Sequence, residues 1–422
     1  MVKLVIEGGR KLEGKIKVAG DKNSTLPILA ATILIKGRII LENVSRIQDV
    51  AAMLAILKFL GVESEWKNEH TLVLNTEKSH YEDLLIEEIK KLRASIVFLG
   101  SVLARFGKIK ISQPGGDVIG ARPLETHLEG LADLGVEAQD GESISGVFKK
   151  LKNNIVTLKE ASVTGTETLM LFCALQSKPI TLRLCATEPS VQALGWFLQK
   201  LGVEIKGLGT PFLTMKGARQ LKRSVKFTLP PDPTEAATFV ALAGATRSKI
   251  EIEEAPLEFL DSLFLVMAEM AFRFKVSGGK LHRGKIFVYP SNLKGAKIQT
   301  GLYPKFLSDM QPPFGVAATQ AHGVTIIHDW LYENRFGHLR ELARMGANTE
   351  ILDPHRALII GPTPLHGGEV RSLDIRAGIA LVIAGLIAKG TTVIYEAEKI
   401  DRGYEKLEER LQRLGAVIEK KE

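Results

Sequence analysis

The chain has 422 residues, of which 45% are hydrophobic and 25% charged, and its formal net charge is +8. Because this length exceeds one typical domain and the composition is that of a globular protein, we expect two domains with large cores, and a disulfide scaffold is excluded. The basic residues are spread along the chain without dense blocks interleaved with aromatics, which favours an anionic small substrate over nucleic acid.

The first residues, MVKLVIEGG, contain only a short apolar stretch that charged residues interrupt early, which does not fit a secretion signal. The longest apolar run, Ala377 to Ala388, is shorter than the roughly 20 residues of a membrane-spanning helix. Cys173 and Cys185 lie in apolar surroundings and are expected to be buried free thiols. The sequence therefore predicts a cytoplasmic protein with no membrane partner.

Six amphipathic helices of one pattern follow one another, each indicated by apolar residues three and four positions apart. They lie within 49–63, 124–137, 190–204, 259–276, 336–350 and 404–419. Each helix is predicted to end at a residue in the C-cap position, which is glycine in five of the six copies. A short segment in which apolar and polar residues alternate follows it and predicts a strand. The end positions are Gly61, Gly135, Gly202, Ala271, Gly346 and Gly415, with Ala271 marking a degenerate copy.

Further strand-like runs at 36–43, 178–184, 248–254 and 390–396 precede four of these helices, and an apolar helix candidate precedes each run. The copies recur about every 70 residues, which is longer than the 20 to 50 residues of solenoid repeats. The pattern predicts an α/β protein of six helix–strand–helix–strand units, three in each of two domains.

Two glycine turns carry charged residues in the first half of the chain. GDKNS at 20–24 places Lys22 and Asn23 at the start of an apolar helix, where free backbone amides suit a phosphate or carboxylate. PGGDVIGARP at 114–123 is typical of a shaped loop that presents Asp117 and Arg122, because glycine permits close approaches and proline stiffens the flanks. Taken alone, this loop is equally compatible with an ordinary surface turn.

The second half adds a carboxylate and more arginines. FLSDMQ at 306–311 places Asp309 in an apolar setting, and Arg335 and Arg402 stand at loop-to-helix junctions. Singly, each arginine is typical of a surface or salt-bridge residue. Together with Arg93, Arg122 and Arg376 they favour bidentate binding of carboxylate and phosphate.

Several other motifs are incomplete or missing. Gly9 and Gly14-Lys15 have P-loop spacing, but Ile16 follows where serine or threonine belongs, and a strand is predicted next. The sequence has no GxGxxG after a strand, no HExxH or paired cysteines, and no GxSxG. We therefore expect no cofactor and no metal.

Six motifs in chain order resemble those of the enolpyruvyl transferase family, in particular its members that act on UDP-N-acetylglucosamine. They are GDKNS at 20–24, LRAS at 92–95, PGGDVIGARP at 114–123, FLSDMQ at 306–311, YENRF at 332–336 and IDRGYE at 400–405. The resemblance spans nearly the whole chain and implies a two-domain inside-out α/β barrel of six βαβαββ units, three per domain. We expect one domain at 22–230, with a mobile catalytic loop at 114–123, and the other at 1–21 and 231–422.

The resemblance also implies a reaction. The enolpyruvyl group of phosphoenolpyruvate would pass to the 3-hydroxyl of UDP-N-acetylglucosamine with release of phosphate, the first committed step of peptidoglycan synthesis. This chemistry needs a base for the hydroxyl, an acid for the methylene carbon, and cations for phosphate and carboxylate. The shikimate-pathway enolpyruvyl transferase and a catalytically silent UDP-sugar-binding paralogue are the alternatives.

The resemblance assigns roles to individual residues. Asp309 would be the base, and Asp117 would be the acid at a position where most members carry the cysteine that fosfomycin alkylates. The phosphoenolpyruvate ligands implied are Lys22, Asn23, Arg122, Arg335, Arg376 and Arg402, of which Lys22 and Arg402 are also counted as catalytic. The implied contacts to UDP-N-acetylglucosamine are Asn23, Arg93, Arg122, Pro123, Leu124, Glu125, Thr126, Ser162, Val163, Asp309 and Leu331. Thr164 stands where glycine is common in the family. A monomer is compatible with the sequence, and no nucleic-acid partner is expected.

Overall fold

The structure is a computed structural model that describes residues 2–117, 119–218, 220–278 and 283–421. These residues form two compact units. Residues 2–19, 119–121, 231–278 and 283–421 belong to the first, here called the terminal unit, and 20–117, 122–218 and 220–230 to the second, the middle unit. The domains expected at 22–230 and at 1–21 with 231–422 stay a prediction, because compactness alone does not show that the parts act as domains.

The described residues contain 23 strands. They are β1 Lys3–Glu7, β2 Glu13–Lys17, β3 Arg38–Glu42, β4 Glu63–Trp66, β5 Thr71–Asn75, β6 Lys108–Ser112, β7 Val136–Gln139, β8 Ser143–Phe148, β9 Ile155–Thr157, β10 Ile180–Arg183, β11 Glu204–Lys206, β12 Phe212–Lys216, β13 Ser224–Thr228, β14 Lys249–Ala255, β15 Arg273–Gly278, β16 Gly284–Tyr289, β17 Lys297–Gln299, β18 Gly323–His328, β19 Asn348–Asp353, β20 Arg356–Gly361, β21 Glu369–Arg371, β22 Thr391–Tyr395 and β23 Val417–Lys421.

Thirteen α-helices alternate with the strands. They are α1 Lys22–Ala31, α2 Gln48–Phe59, α3 Glu87–Lys91, α4 Phe98–Phe106, α5 Glu125–Asp133, α6 Val163–Cys173, α7 Pro189–Leu201, α8 Pro233–Ala245, α9 Asp261–Glu269, α10 Gln311–Thr319, α11 Gly337–Arg344, α12 Ile375–Ile387 and α13 Leu407–Gln412. Short 3-10 turns lie at Thr32–Leu34, Arg93–Val97, Leu257–Phe259, Ser308–Met310 and Ala397–Arg402. No helix of the described ranges is both long and apolar enough to cross a membrane.

The strands form six sheets, three in each unit. In the terminal unit their orders are β21-β22-β1-β23, β15-β16-β14-β2 and β17-β18-β20-β19, and in the middle unit β11-β12-β10-β9, β13-β3-β5-β4 and β6-β8-β7. Every four-stranded sheet has one parallel pair at an edge followed by two antiparallel pairs. In the three-stranded sheet, a parallel bridge from Leu84 to Ile111 stands in place of the fourth strand. The prediction of six βαβαββ units is confirmed.

Apolar helices form the centre of each unit. α8 is buried along its whole length and packs with α10 and α12, while α4 packs with α6 and α1 in the middle unit. α8 and α10 are buried along their whole length, and such helices are stable only where other elements enclose them. The two units have separate hydrophobic cores. Cys173 and Cys185 are buried free thiols as expected.

The six repeated helices end as the sequence predicts. Gly61, Gly135, Gly202, Gly346 and Gly415 all have positive φ, and so does Ala271 at +58° in the degenerate copy. Glycine reaches this left-handed conformation without steric strain, which ends a helix and turns the chain into the next strand. The helices themselves are shorter than the periodic segments, and the last begins at Leu407 rather than at Tyr404.

Candidate active site

Three predicted site residues of the terminal unit meet at one point. Asp309 lies in the 3-10 turn before α10, Arg335 just before α11, and Arg376 in the first turn of α12. The Nη2 of Arg335 donates to Oδ1 of Asp309, and Nε of Arg376 donates to Oδ2 at 3.1 Å. Both arginines are buried, whereas the Asp309 side chain is 32% exposed. The carboxylate is thus held between two guanidiniums and still reaches solvent.

The electrostatics keep both guanidiniums charged. Burial disfavours the Arg335 cation, but the charges of Asp309 and Asp374 outweigh it and raise its pKa above the usual value. Burial also disfavours the Arg376 cation. The charges of Tyr404, Asp309 and Asp232 outweigh this effect and raise the pKa of Arg376 well above its usual value. Two permanently cationic groups in a buried setting are what binding of a substrate carboxylate or phosphate requires.

Two residues that sequence reasoning missed hold these arginines. Asp374 caps α12 by accepting from the backbone N–H groups of Arg376 at 2.7 Å and Ala377 at 3.0 Å. The Tyr404 hydroxyl lies 3.1 Å from Nη1 of Arg376 and 2.8 Å from the Thr238 hydroxyl. Tyr404 is buried, and its hydroxyl joins Arg376 and Thr238 in one buried network.

A buried aspartate, Asp329, connects the surroundings of Asp309 with those of Leu331. It accepts from the Ser308 hydroxyl at 2.6 Å and from the backbone N–H of Leu331 at 3.0 Å. Because an aspartate often caps its own turn in this way, the pattern Asp329-Trp330-Leu331 was the signal that could have found it. Asp329 fixes the chain on both sides of the cluster.

Arg402 ends the 3-10 turn Ala397–Arg402 and is partly buried. The backbone of the next residue, Gly403, faces Arg376: a Cβ built there would lie 4.0 Å from Nη1. The chain directly after Arg402 therefore lies beside Arg376.

Lys22 opens α1 in the middle unit, as predicted, but its surroundings differ from the expectation. The Asp21 side chain accepts from the backbone N–H groups of Asn23 at 3.0 Å and Ser24 at 2.9 Å. The expectation that these amides are free for an anion is wrong, because an aspartate occupies the N-cap position. The Lys22 ammonium instead pairs with Asp49 at 3.0 Å. Asn23 itself is exposed.

The loop at 114–123 is anchored by its glycines and by Arg93. A Cβ on Gly115 would lie 1.8 Å from the Lys90 carbonyl oxygen, so only glycine fits there. Arg93 donates to the carbonyls of Arg122 and, at 3.4 Å, Pro123, while Arg122 donates to the carbonyl of Asp117. The structure thus brings Arg93, Asp117 and Arg122 together through the backbone. Val118 lies outside the described residues.

The tip of the same loop belongs to the terminal unit. The backbone N–H of Ala121 donates to the Glu333 carboxylate at 3.2 Å, and the N–H of Asn334 donates to the Ile119 carbonyl at 3.0 Å. Glu333 therefore acts as an anchor for the loop, a role that its place in the YENRF motif did not reveal.

Six of the eleven predicted contacts to UDP-N-acetylglucosamine belong to two short segments that meet at the start of α6. Ser162 caps this helix by accepting from the N–H of Gly165 at 3.2 Å. A Cβ on Gly165 would lie 3.1 Å from the Thr126 methyl, which places Thr126 beside Ser162. The others are the neighbours of these two, namely Pro123, Leu124 and Glu125 before Thr126, and Val163 after Ser162.

Thr164, the residue that departs from the resemblance, has a partner in this region. Its hydroxyl lies 2.9 Å from Nε2 of His127. Burial and the nearby Arg93 cation lower the pKa of His127 to about 3, so the ring is neutral near pH 7. The threonine therefore adds a polar contact at the base of the predicted nucleotide site.

Comparison with known proteins decides the family. Residues 6–411 match the family described as EPSP synthase (3-phosphoshikimate 1-carboxyvinyltransferase). The chain belongs to this family of enolpyruvyl transferases. Curated relatives named UDP-N-acetylglucosamine 1-carboxyvinyltransferase include one from Campylobacter hominis, 38% identical over 99% of both chains, and one from Treponema denticola, 37% identical over 100% of both.

Solved enolpyruvyl transferases share the fold. The enolpyruvyl transferase NikO from Streptomyces tendae matches with a TM-score of 0.88 at 24% identity, over 100% of this chain and 99% of its own. EPSP synthase from Acinetobacter baumannii matches with a TM-score of 0.78 at 19% identity, over 100% of both. The inside-out α/β barrel is therefore confirmed.

Proposed function

We propose that this protein transfers the enolpyruvyl group of phosphoenolpyruvate to the 3-hydroxyl of UDP-N-acetylglucosamine and releases phosphate. The observation that carries the proposal is the Asp309 carboxylate held between the buried guanidiniums of Arg335 and Arg376. The full-length relatives named for this activity support the choice of acceptor. The reaction is the first committed step of peptidoglycan synthesis.

In the addition step, Asp309 takes the proton of the sugar 3-hydroxyl, and the hydroxyl oxygen attacks C2 of phosphoenolpyruvate. Both Asp309 oxygens already accept hydrogen bonds, so the substrate hydroxyl must displace or share one of them. Asp117 gives a proton to the methylene carbon, which becomes a methyl group. A tetrahedral intermediate forms that carries the sugar ether, the phosphate and the carboxylate on one carbon.

In the elimination step, the Asp117 carboxylate takes a proton back from the methyl group, the C–O bond to phosphate breaks as Asp309 returns its proton to the leaving phosphate, and the carbon–carbon double bond returns. Lys22, Arg122 and Arg402 are proposed to hold the phosphate, and Arg335 and Arg376 the carboxylate. Fixed cations of this kind stabilise charge that builds up on the leaving group. Lys22 already pairs with Asp49, so the substrate phosphate would compete with or join that pair.

The acceptor is proposed to bind the middle unit through the cluster at the start of α6 and the loop at 114–123. Its ligands are Asn23, Arg93, Arg122, Pro123, Leu124, Glu125, Thr126, Ser162 and Val163, with Asp309 and Leu331 from the terminal unit. Both substrates are multiply charged phosphate compounds, which do not cross an apolar bilayer unaided. We place the reaction in the cytoplasm for this reason.

The proposal is tested by the product. Purified protein is incubated with phosphoenolpyruvate and UDP-N-acetylglucosamine, and the acceptor is analysed by mass spectrometry and NMR. We expect one enolpyruvyl ether on the 3-hydroxyl for each phosphate released. The family match names 3-phosphoshikimate, so this acceptor is run in parallel. A product on 3-phosphoshikimate alone would assign the other activity of the family, and no product on either would leave a silent binding protein.

A further inference from the structure

His338 is a buried histidine beside the Asp309 cluster that the proposed mechanism does not use. It lies in the first turn of α11, three residues after Arg335, and has no exposed surface. Its Nδ1 lies 3.2 Å from the Arg335 carbonyl oxygen. A carbonyl only accepts hydrogen bonds, so Nδ1 carries the proton and donates, and Nε2 presents a lone pair. Burial and the Arg335 cation lower the pKa of His338 to about 3, so the ring is neutral.

The Nε2 side of the ring faces α10. A Cβ built on Gly315 of α10 would lie 3.2 Å from Nε2, so the absence of a side chain there leaves room for the imidazole. Among the described residues, Nε2 of His338 has no hydrogen-bond partner, and neither has either side-chain polar atom of the fully buried Gln311. Gln311 precedes Gly315 by one helical turn, which places both on one face of α10.

Buried polar atoms are rarely left without a partner. The bare Nε2 lone pair and the buried Gln311 carboxamide are complementary across one bridging water, because the water donates to the ring and accepts from the amide N–H. Gln311 directly follows the turn that carries Asp309. The histidine thereby ties the backbone of Arg335 to the start of α10.

We propose that His338 is the positioning residue for Arg335: its Nδ1–H holds the Arg335 carbonyl, and the Nε2 edge of the ring packs against Gly315 of α10. Through these two contacts the ring fixes the backbone from which the Arg335 guanidinium reaches Asp309. The inference rests on the proposed function only in that Arg335 is taken to bind phosphoenolpyruvate.

Two substitutions separate the positioning role from simple packing. Asparagine at 338 places an amide N–H near the position of Nδ1, whereas glutamine places it near that of Nε2. We expect His338→Gln to lower kcat/KM for phosphoenolpyruvate about 10-fold, the usual effect of one lost hydrogen bond, with KM for UDP-N-acetylglucosamine unchanged. His338→Asn should stay within about 3-fold of the parent enzyme, as expected when the donor is kept. Equal losses in both variants, or losses shared by both substrates, would overturn the proposal.

Gly315→Ala tests the Nε2 side, because the added methyl would push the ring away from α10 by a few tenths of an ångström. We expect it to lower kcat/KM for phosphoenolpyruvate, as His338→Gln does. Gly368→Ala is the matched control, since Gly368 belongs to the same unit and a Cβ there meets nothing within 4 Å. An effect of Gly368→Ala as large as that of Gly315→Ala would contradict the role given to His338.

Two readouts do not depend on the proposed activity. In ¹⁵N-histidine NMR spectra, the signal lost in His338→Asn should be that of a neutral ring protonated at Nδ1 from pH 5.5 to 8. In a crystal structure of His338→Gln, the Arg335 guanidinium should have moved off Asp309. If the parent enzyme turns over neither acceptor, the proposed function fails while these two measurements still decide the inference. A ring protonated at Nε2, or an unmoved guanidinium, would overturn it.

Discussion

At the scale of single residues, Asp309 carries the largest share of the proposed chemistry. Asp309→Asn keeps the side-chain shape but removes the base, and removal of a positioned base lowers turnover by about 10²–10⁴-fold. We expect that loss in phosphate release, with a circular dichroism spectrum like that of the parent enzyme. Glu258→Gln, at an exposed acid of the same unit, is the control and should keep full turnover. Near-normal turnover of Asp309→Asn would show that another group is the base.

Asp117 predicts a response to fosfomycin. The drug is an epoxide that family members open with a cysteine thiolate, and a carboxylate is a much poorer nucleophile towards it. We expect the parent enzyme to keep its activity during prolonged incubation with the drug. Asp117→Cys should stay active and show time-dependent loss of activity, with a mass increase of one drug molecule. Covalent modification of the parent enzyme, or its absence in the active cysteine variant, contradicts the place given to Asp117.

At the scale of elements, one ion pair ties α1 to α2. The side chains of Lys22 and Asp49 are only 12% and 6% exposed, so removal of the Asp49 charge leaves the Lys22 ammonium buried without this partner. We expect Asp49→Asn to lower the free energy of unfolding by about 3 kcal/mol in urea denaturation. Lys78 and Glu63 form a pair of similar length in the same unit, but both are largely exposed. Glu63→Gln should leave stability unchanged, and an equal effect of both variants would mean that burial does not strengthen the Lys22–Asp49 pair.

The left-handed residues at the helix ends predict opposite changes in stability for two substitutions. Ala271 has a φ of +58°, which disfavours any residue with a Cβ, and Gly202 has a φ of +105° with nothing within 4 Å of a built Cβ. Ala271→Gly should therefore raise the free energy of unfolding by about 0.5–1 kcal/mol, and Gly202→Ala should lower it by about 1–2 kcal/mol. Urea denaturation measures both. Changes of the same sign in the two variants would contradict the shared C-cap geometry.

The repeats were predictable because their signals are local. Apolar spacing and a terminal glycine specify each helix and its end within about a dozen residues, and Ala271 was recognised from its place in the period. The arginines were found in the same way, as residues beside turns. Their partners were not: Asp49 and Tyr404 reach Lys22 and Arg376 across 27 and 28 residues of chain. Such pairing depends on how distant segments pack, which no local pattern contains. Asp21 was missed for a different reason, because a turn and an N-cap have the same composition.

At the scale of the whole molecule, buried neutral histidines make stability depend on pH. The pKa of His338 falls from 6.5 to about 3 on folding, and that of His127 does the same. Below pH 6.5 the unfolded chain binds a proton that the folded protein does not take up until about pH 3, so stability falls as pH falls across this window. Glu167 acts in the opposite sense, because burial raises its pKa well above 4.5.

The contribution of His338 to this pH dependence is measured by comparing the parent protein with His338→Asn. His338→Asn removes the titrating ring, so the parent protein should lose about 1.4 kcal/mol more than this variant when the pH is lowered from 7.5 to 5.5. Urea denaturation of both proteins at the two pH values gives the number. A difference that does not change with pH would mean that the ring has the same pKa in the folded and the unfolded protein, which would contradict its burial in neutral form.

The whole protein is proposed to transfer the enolpyruvyl group from phosphoenolpyruvate to UDP-N-acetylglucosamine, with Asp309 as the base. The most direct measurement is the initial rate of phosphate release from phosphoenolpyruvate with UDP-N-acetylglucosamine, with 3-phosphoshikimate, and without acceptor, for the parent enzyme and for Asp309→Asn. We expect release only with UDP-N-acetylglucosamine, and a rate at least about 100-fold lower in Asp309→Asn. Release with 3-phosphoshikimate instead, or the same rate in both proteins, would contradict it.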